Sequence, residues 1–156
     1  MRIRKAKKED IPEMKVLCQL LIEKEYSDYD KSLSLEWTSS EKGAEDFKEF
    51  VTKDNACAII AETDEGQIVG YVTGKIVKGE DYRKIQKVVE IDSFFILKEH
   101  RGNLLGTKIH KELGKWGKDK GAERMRVAVS AGNKQGINFY KKVGLKDYVV
   151  VLEGKI

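Results

Sequence analysis

The amino-acid sequence predicts one α/β domain, in which a mixed β-sheet carries helices on its faces. Runs rich in β-branched residues alternate along the chain with runs whose apolar residues recur at helical spacing. The 156 residues are a normal length for one domain, and no linker, internal repeat or low-complexity segment divides them. We therefore assign residues 1–156 to a single domain with the element order β-α-α-β-β-β-α-β-α-β.

The first half of the chain supplies the opening strand, two helices and a hairpin. Residues 1–6, MRIRKA, alternate like a short strand, and Asp10 with Glu13 matches a capping box for the helix that follows. The first helix is predicted from the apolar positions Ile11, Met14, Leu17, Cys18 and Leu21, and the second from Ala44, Phe47, Phe50 and Val51. Two β-rich runs around the turn TDEG, residues 63–66, predict an antiparallel hairpin.

The second half adds three strands and two helices around a glycine-bearing loop. Residues 87–97, KVVEIDSFFIL, are β-branched and aromatic and predict a strand. A helix that should stop near Gly121 is indicated by the apolar stripe Leu105, Ile109, Leu113 and Trp116. We then predict a strand in residues 123–130, a short helix over Gln135–Val143 with Gly144 as its C′ residue, and a last strand in residues 146–154, KDYVVVLEG.

Composition narrows the possible functions. No stretch approaches the roughly 18 consecutive apolar residues of a membrane span, and no apolar segment follows the basic start, so we expect neither membrane insertion nor secretion. Cys18 and Cys57 lie far apart without a CxxC pairing, which favours reduced thiols in a cytoplasmic protein. The two histidines show no metal-ligand spacing with them, so we expect no metal. The net charge of +4 is modest and scattered, which argues against nucleic-acid binding.

One part of the chain differs from the rest in charge. Residues 23–46 hold eight acidic against three basic side chains, whereas the remainder is basic. An acidic patch on a basic domain suggests two ligands of opposite charge. A solvated helix end and loop would give the same composition, so both interpretations stay open.

The loop HRGNLLGT, residues 100–107, lies between a predicted strand and a predicted helix. A helix start offers unpaired backbone N–H groups and the positive end of the helix dipole, which together bind phosphate. Arg101 adds positive charge, and Gly102 and Gly106 allow close backbone approach. The loop alone is compatible with either a phosphate site or a plain turn.

Three segments in order favour the phosphate site: the strand EIDSFFILKE, the loop HRGNLLG and, about 30 residues later, NKQGINFYKKVGL. Together they resemble the GNAT family of N-acetyltransferases, and within it the diamine or polyamine enzymes. The resemblance implies the GNAT fold, acetyl-CoA as cofactor, and a cradle for its pyrophosphate in the amides of Gly102, Asn103, Leu104, Leu105, Gly106 and Thr107. It also implies that the backbone of Phe94, Phe95 and Ile96 pairs with the pantetheine arm, and that Asn133 and Lys141 or Lys142 face the rest of the cofactor.

Leu104 departs from the family pattern, which has an arginine or glutamine, then glycine, then a small residue at the positions of Arg101, Leu104 and Gly106. If residue 104 adopts right-handed helical torsion angles, leucine is unstrained there. The backbone amides do not depend on the side chain. We therefore expect CoA binding that is weaker or altered rather than lost.

Acetyl transfer to an amine needs a base, an oxyanion donor and a proton for the departing thiolate. By the resemblance, Tyr140 supplies that proton, although the apolar spacing around it also suits a tyrosine at the edge of the core. Asp92 and Glu90 are the candidate bases, and in a regular strand they share one face with Phe94 and Ile96. The alternative for both carboxylates is an ordinary surface position.

The acceptor is expected between the first two helices and the late strands. Carboxylates and aromatic rings suit a cationic amine, so we place the acceptor at Glu25, Tyr26, Asp28, Tyr29 and Asp92. Small polyamine-like molecules and basic peptides both qualify, and a homodimer is possible by the resemblance. Two other functions remain open: a catalytically silent acyl-CoA-binding module, which Leu104 makes conceivable, and a nucleic-acid-binding domain.

Overall fold

The computed structural model describes all residues 1–156 as one five-stranded sheet with four helices. The strands are β1 (Arg2–Lys5), β2 (Ala56–Glu62), β3 (Ile68–Lys78), β4 (Lys87–Ile96) and β5 (Arg124–Val127). The helices are α1 (Ile11–Asp28), α2 (Glu41–Thr52), α3 (Leu105–Asp119) and α4 (Lys134–Lys142), with short 3-10 turns at Lys8–Asp10, Trp37–Ser39 and Lys98–His100. The sheet order is β1-β2-β3-β4-β5, antiparallel except for the parallel pair β4–β5.

The core has two layers, one on each face of the sheet. On one face, Ile109, Leu113 and Trp116 of α3 pack against strand residues such as Val72 and Val89. On the other, α1 and α2 cover the sheet through Met14, Leu17, Phe47 and Phe50, which pack around Ile60 and Tyr71. Burial of these side chains fixes which face each strand residue occupies.

A β-bulge interrupts β4 in its middle. Thr73 of β3 pairs with Ser93 and Gly74 pairs with Ile91, so Asp92 is the extra residue of β4. Ile91 packs toward α3 before the bulge, and Phe94 does so after it. The prediction that Asp92 and Glu90 share a face with Phe94 and Ile96 is therefore wrong, because the bulge reverses the alternation. The two carboxylates lie on the α1/α2 side.

Strands β4 and β5 stay together for only four residues. Val88 to Ile91 pair with Arg124 to Val127, and beyond Ile91 no strand adjoins this edge of β4. The backbone groups of β4 alternate in direction. Leu97 donates to β3, and the carbonyl of Ile96 points the other way, where Arg101 binds it. Phe94 and Ile96 therefore present their backbone to the opening, which we call the fork, whereas Phe95 presents its backbone to β3.

Most predicted elements are present, and the helix ends follow the glycines. α3 stops two residues before Gly121, and Gly144 follows α4 with a φ of 104°. The turn of the β2–β3 hairpin closes at Gly66, which has a φ of 89°.

Two local predictions are wrong. The last strand, residues 146–154, is not formed, because no strand of the chain pairs with it. Asp10 precedes α1 but does not cap it. Its carboxylate instead accepts from the Lys7 backbone at 2.6 Å and from the Arg4 guanidinium at 2.7 and 2.9 Å, while Glu13 accepts from the Ile68 backbone.

The Arg4–Asp10 pair predicts a pH-dependent stability. The hydrogen bond from Arg4 lowers the pKa of Asp10, so its contribution is present above about pH 4, the unfolded value, and is lost as pH falls through the folded pKa. Asp10→Asn should lower the free energy of unfolding by about 1–2 kcal/mol at pH 7 and by less at pH 3. Urea unfolding at the two pH values measures this. Asp64→Asn, at a carboxylate 84% exposed, is the matched control and should change little.

Candidate active site

Three aromatic side chains line the fork. The ring of Phe94 lies 5.4 Å from that of Phe139 and 6.5 Å from that of Tyr140, and the last two are 5.2 Å apart, centroid to centroid. α4 therefore closes one wall of the opening that β4 and β5 leave. Gly106 makes this close approach of α3 and α4 possible, because a Cβ there would lie 3.0 Å from the Phe139 ring.

Tyr140 carries the polar group of this wall. Its hydroxyl forms no hydrogen bond with the protein, and burial raises the pKa of Tyr140 well above its usual value. The phenol therefore stays protonated across the physiological range. A protonated hydroxyl with no internal acceptor is available as a proton donor to a bound molecule.

The loop before α3 presents a row of free backbone donors. The amides of Gly102, Asn103, Leu104, Gly106 and Thr107 have no protein acceptor, and Lys108 is the first to donate within the helix, to the Leu104 carbonyl. The Leu105 amide has one long contact, 3.3 Å to the side-chain oxygen of Asn103. Free amides at the start of a fifteen-residue helix suit an anionic phosphate.

Leu104 adopts the left-handed conformation, with a φ of 64°, and no other non-glycine residue of the chain has a positive φ. The condition under which leucine would be unstrained, right-handed torsion angles, is therefore not met. A side chain in this region is strained by about 1 kcal/mol or more. The leucine side chain is 60% exposed and so gains little from burial. The cradle thus keeps the backbone shape that glycine would adopt freely.

This strain gives a prediction at Leu104. Leu104→Gly should raise the free energy of unfolding by about 0.5–1 kcal/mol, the relieved strain less the added flexibility of the unfolded chain. Leu104→Ala keeps the positive φ and should leave stability nearly unchanged. Thermal unfolding of both variants separates strain from side-chain bulk. A glycine variant less stable than the alanine variant would contradict this account.

Arg101 fastens the loop to the end of β4. Its Nε donates to the Ile96 carbonyl at 2.8 Å, and its guanidinium lies 5.3 Å from the Phe95 ring centre. One guanidinium edge therefore holds the loop, while its other N–H groups remain free. The residue thus fixes the position of the cradle relative to the fork.

Asp92, the bulged residue, is exposed and lies beside a row of hydroxyls, of which those of Thr73 and Tyr71 are buried and that of Ser93 is half-buried. Its Oδ2 is 3.4 Å from the Thr73 hydroxyl, Thr73 lies 3.2 Å from the Ser93 hydroxyl, and Ser93 donates to the Tyr71 hydroxyl at 2.8 Å. Desolvation raises the pKa of Asp92, while the nearby charge of Lys75 opposes that rise. A carboxylate with a raised pKa and only one long hydrogen bond is suited to accept a proton.

Glu90 has different surroundings. Its carboxylate accepts from Arg126 at 2.8 Å, and Arg126 also pairs with Glu80. This ion pairing holds the side chain beside β5. Of the two predicted bases, Asp92 is the one whose carboxylate has no ion pair.

The predicted acceptor residues lie at the end of α1, and several already have partners. Glu25 accepts from the Ser130 hydroxyl at 2.6 Å and from the Asn133 amide at 3.2 Å. Asp28 pairs with Lys24 at 2.5 Å. The two aromatic rings each face a lysine: Lys31 Nζ lies 4.7 Å from the Tyr26 ring centre, and Lys24 Nζ lies 5.4 Å from that of Tyr29. Tyr29 also lies against Gly132. The end of α1 thereby closes on the loop that follows β5.

The three remaining cofactor candidates are spread along α4. The Asn133 side chain caps the helix by accepting from the Gly136 amide at 2.8 Å. Lys141 and Lys142 lie at the opposite end, roughly 12 Å away along the helix axis. Lys141 pairs with Asp147 at 2.9 Å. A ligand that met both Asn133 and one of these lysines would therefore have to extend along α4.

Sequence reasoning missed several residues of the site. Thr73 lies on a neighbouring strand, 19 residues before Asp92, and no local pattern connects the two. The same holds for Ser130 and Glu25, which are 105 residues apart. His110 is partly buried against Phe139, and its Nε2 has no partner. Only the strand pairing and the helix packing bring these groups together.

Comparison with known proteins shows the family of the chain. Residues 19–145 match the model of the Acetyltransferase (GNAT) family, which covers most of the chain. The chain belongs to the GNAT family. The GNAT resemblance of the three segments is thereby confirmed, and acetyl-CoA is the acetyl donor of this family. No helix of this GNAT protein is both long and apolar enough to cross a membrane.

Curated relatives match over a short stretch. Thialysine N-epsilon-acetyltransferase from Mus musculus is 34% identical over 59 residues, which are 38% of this chain and 35% of that protein. The protein of the same name from Sus scrofa is 32% identical over an equal stretch. The matched region thus spans about a third of the length of these relatives.

Solved structures match over the whole chain. A tetramutant of the BH1408 protein from Bacillus halodurans has a TM-score of 0.81 at 18% identity, with 100% of both chains covered. The aminoglycoside N-acetyltransferase AAC(6')-Iy in complex with CoA has a TM-score of 0.79 at 18% identity, covering 99% of this chain and 93% of that one. These similarities confirm the predicted fold.

Proposed function

We propose that this GNAT protein is an acetyl-CoA-dependent N-acetyltransferase that transfers the acetyl group directly to a primary amine of a small cationic molecule. The observation that carries the proposal is the continuity of three features. The free amides before α3 lead to the fork, and the fork leads to the unbonded hydroxyl of Tyr140. The three features follow one another in the same order as the parts of a molecule that has a phosphate end, an extended arm and a reactive end.

The residues of the chain fit acetyl-CoA, which supplies an acetyl thioester when bound. The amides of Gly102, Leu104 and Gly106, with their neighbours, would hold the pyrophosphate. The fork-facing backbone of Phe94 and Ile96 would bind the pantetheine amides as an added strand would. The fit at Ile96 is limited to its N–H, because Arg101 already binds its carbonyl.

Asp92 accepts a proton from the acceptor, directly or through water. An amine with the pKa of lysine is neutral in only about one molecule in a thousand at pH 7, so proton removal is a real part of the barrier. The Phe94 amide faces the fork next to the bulge and would donate to the developing oxyanion. Tyr140 holds its proton until the sulfur departs and then donates it.

The acceptor class follows from the charges around Asp92. Besides desolvation, the pKa of Asp92 responds to Lys75, which lowers it, and to a smaller extent to Asp46 of α2, which raises it. Asp46 lies 3.0 Å from Lys42 and 3.7 Å from Lys75, whereas Asp92 has no ion pair, so the charge of Asp92 supports a cationic, polyamine-like amine over a neutral one. The name of the Mus musculus relative gives the ε-nitrogen of thialysine as its acceptor, and AAC(6')-Iy is an aminoglycoside enzyme. Basic peptides remain the alternative acceptors.

We also propose a cytoplasmic location, because the buried free thiols of Cys18 and Cys57 suit a reducing compartment.

A catalytically silent acyl-CoA-binding module is the second candidate function. The observation that favours it is Leu104, whose strained backbone and added side chain lie within the cradle itself. Such a module would bind acetyl-CoA and leave it intact in the presence of every amine.

The proposal is tested by binding first and turnover second. Calorimetric titration with acetyl-CoA should show micromolar binding, and dephospho-CoA and acetate serve as the controls. Thiol release should then follow with spermidine, thialysine, neamine or a lysine peptide. Binding without release for any amine would favour the silent module. The absence of binding at millimolar acetyl-CoA would exclude both.

A further inference from the structure

The row of hydroxyls beside Asp92 extends from the candidate base into the core. It begins at Asp92 and continues through the hydroxyls of Thr73, Ser93 and Tyr71, with successive oxygen–oxygen distances of 3.4, 3.2 and 2.8 Å. The Cys18 thiol of α1 lies within hydrogen-bonding reach of the Tyr71 hydroxyl. Tyr71 is fully buried and Cys18 is 6% exposed, so the far end of the row lies away from water. A proton has no exit there, and the row acts on Asp92 through the arrangement of its hydrogen bonds.

Thr73 is the member of the row that contacts the carboxylate. Its hydroxyl oxygen accepts from the Ser93 backbone amide at 3.2 Å, directly after the bulge in β4. A hydroxyl has one proton to donate. Two oxygens lie within reach of that proton, Asp92 Oδ2 at 3.4 Å and Ser93 Oγ at 3.2 Å. The Thr73 proton therefore serves one of these two acceptors at a time.

The direction of the next hydrogen bond favours one of the two acceptors. Ser93 donates its single hydroxyl proton to the Tyr71 oxygen, so the Ser93 oxygen keeps lone pairs free to accept from Thr73. Burial raises the pKa of Tyr71 well above its ordinary value, so Tyr71 keeps its own proton and can direct it to the Cys18 sulfur. Ser93 and Tyr71 together thus draw the Thr73 proton away from Asp92.

The Asp92 carboxylate receives no other hydrogen bond from the protein. Charged or titratable groups face it from each neighbouring element, namely Lys75 of β3, Asp46 of α2, Glu90 of β4 and Cys18 of α1. These groups act on the carboxylate through their charge. The state of the Thr73 proton therefore decides whether the carboxylate has a hydrogen-bond donor at all.

We propose that Ser93 and Tyr71 are positioning residues: they draw the Thr73 proton away from the carboxylate beside it and so keep that carboxylate a better proton acceptor. A carboxylate that receives a full hydrogen bond is stabilised in its charged form and takes up a proton less readily. The inference rests on the proposed function in one respect, that Asp92 removes the proton of the acceptor amine. It assigns a role in that step to two side chains that do not touch the amine.

The test follows the titration of Asp92 itself in the full chain without acetyl-CoA. NMR of ¹³C-labelled aspartate carboxyls gives the midpoint, and Asp92→Asn assigns the signal. Ser93→Ala leaves the Thr73 proton to Asp92 alone and should move the midpoint to lower pH by about half a pH unit, as one added hydrogen bond would. Tyr71→Phe frees the Ser93 proton to turn to Thr73 and should move the midpoint in the same direction.

Two control variants separate the hydroxyl from a general effect of substitution. Ser93→Thr retains the hydroxyl and should keep the wild-type midpoint. Ser39→Ala removes an exposed hydroxyl that bonds to the Glu36 carbonyl, far along the chain from the row, and should also leave the midpoint unchanged. Circular dichroism verifies that each variant is folded, and if Tyr71→Phe does not fold, Ser93→Ala still decides.

A double variant shows whether Ser93 acts through Thr73. In the Thr73→Val background, Ser93→Ala should move the midpoint no further, because no hydroxyl proton remains to be redirected. An unchanged or higher midpoint in Ser93→Ala overturns the proposal. An equal shift with and without the Thr73 hydroxyl overturns it too, since Ser93 would then act on the carboxylate directly.

Activity separates this inference from the proposed function. In Ser93→Ala the acidic limb of kcat/KM should move to lower pH together with the NMR midpoint. A midpoint that moves while the limb stays would support the competition for the Thr73 proton and count against Asp92 as the base. If the protein turns over no amine, the NMR midpoints still decide the proposal.

Discussion

Tyr140→Phe should lower kcat at least about a hundredfold, the lower end of what a general acid contributes, and leave the affinity for acetyl-CoA within about threefold. The substitution removes one hydroxyl and keeps the ring contacts with Phe94 and Phe139. That hydroxyl bonds to nothing in the protein, so its loss leaves no polar group unsatisfied. Stopped assays of thiol release with the best amine, together with calorimetric titration, measure the two quantities separately.

The control for Tyr140→Phe is Tyr82→Phe, a tyrosine that is 86% exposed in the loop before β4. It should retain full activity. Burial raises the pKa of Tyr140 above about 10, the ordinary value for a tyrosine. Ionisation of Tyr140 should therefore cause no fall in the kcat of the wild type below about pH 10. Full kcat in Tyr140→Phe would mean that solvent water, rather than Tyr140, protonates the sulfur of the departing CoA. Loss of acetyl-CoA binding would instead indicate that the hydroxyl positions the ligand.

Periodicity and glycine placement predicted most of the fold, because these signals are local. The hairpin, the four helices and their ends at Gly121 and Gly144 depend on residues within one or two turns of each other. Local signals could not show whether the last predicted strand forms. Residues 146–154 have the local properties of a strand, but strand formation requires pairing with another strand, and no strand of the sheet pairs with these residues.

The site was predicted in its parts but not in its arrangement. The phosphate loop and Tyr140 follow from motifs, whereas the bulge at Asp92 has no marker in the residues EIDSFF. That bulge places Asp92 on the same side of the sheet as Glu90 and on the opposite side from Phe94 and Ile96. Of the two carboxylates, only Glu90 has an ion pair, with Arg126. The torsion angles of Leu104 could not be predicted either. The backbone on both sides of Leu104 sets the loop shape, and that shape favours glycine.

The roles of the two carboxylates can be separated by a pair of matched variants. Asp92→Asn should lower kcat/KM at pH 7.5 by about a hundredfold, the lower end of what a general base contributes. Glu90→Gln should lower it by no more than about threefold, since an exposed ion pair with Arg126 contributes little. Both variants replace a carboxylate by its amide and remove one charge. A difference between their kcat/KM values therefore shows the effect of the position of the carboxylate.

The pH profile shows whether Asp92 acts by accepting a proton. A base works only when deprotonated, so kcat/KM of the wild type should fall as pH drops through the pKa of Asp92, which desolvation raises. Lys75 opposes that rise, and the Thr73 hydroxyl does so to a smaller extent. Lys75→Met should therefore move the acidic limb to higher pH, and Thr73→Val should move it in the same direction by less, with Thr73→Ser restoring the wild-type limb.

An acidic limb that stays in place in Lys75→Met would show that the limb belongs to another group. The Asp92→Asn variant then shows whether Asp92 binds the acceptor or removes its proton. If KM rises in that variant while kcat holds, Asp92 binds the cationic acceptor rather than deprotonating it. If kcat falls and KM holds, the carboxylate acts on the reacting amine. The two outcomes differ because binding to the ground state and to the transition state affects different constants.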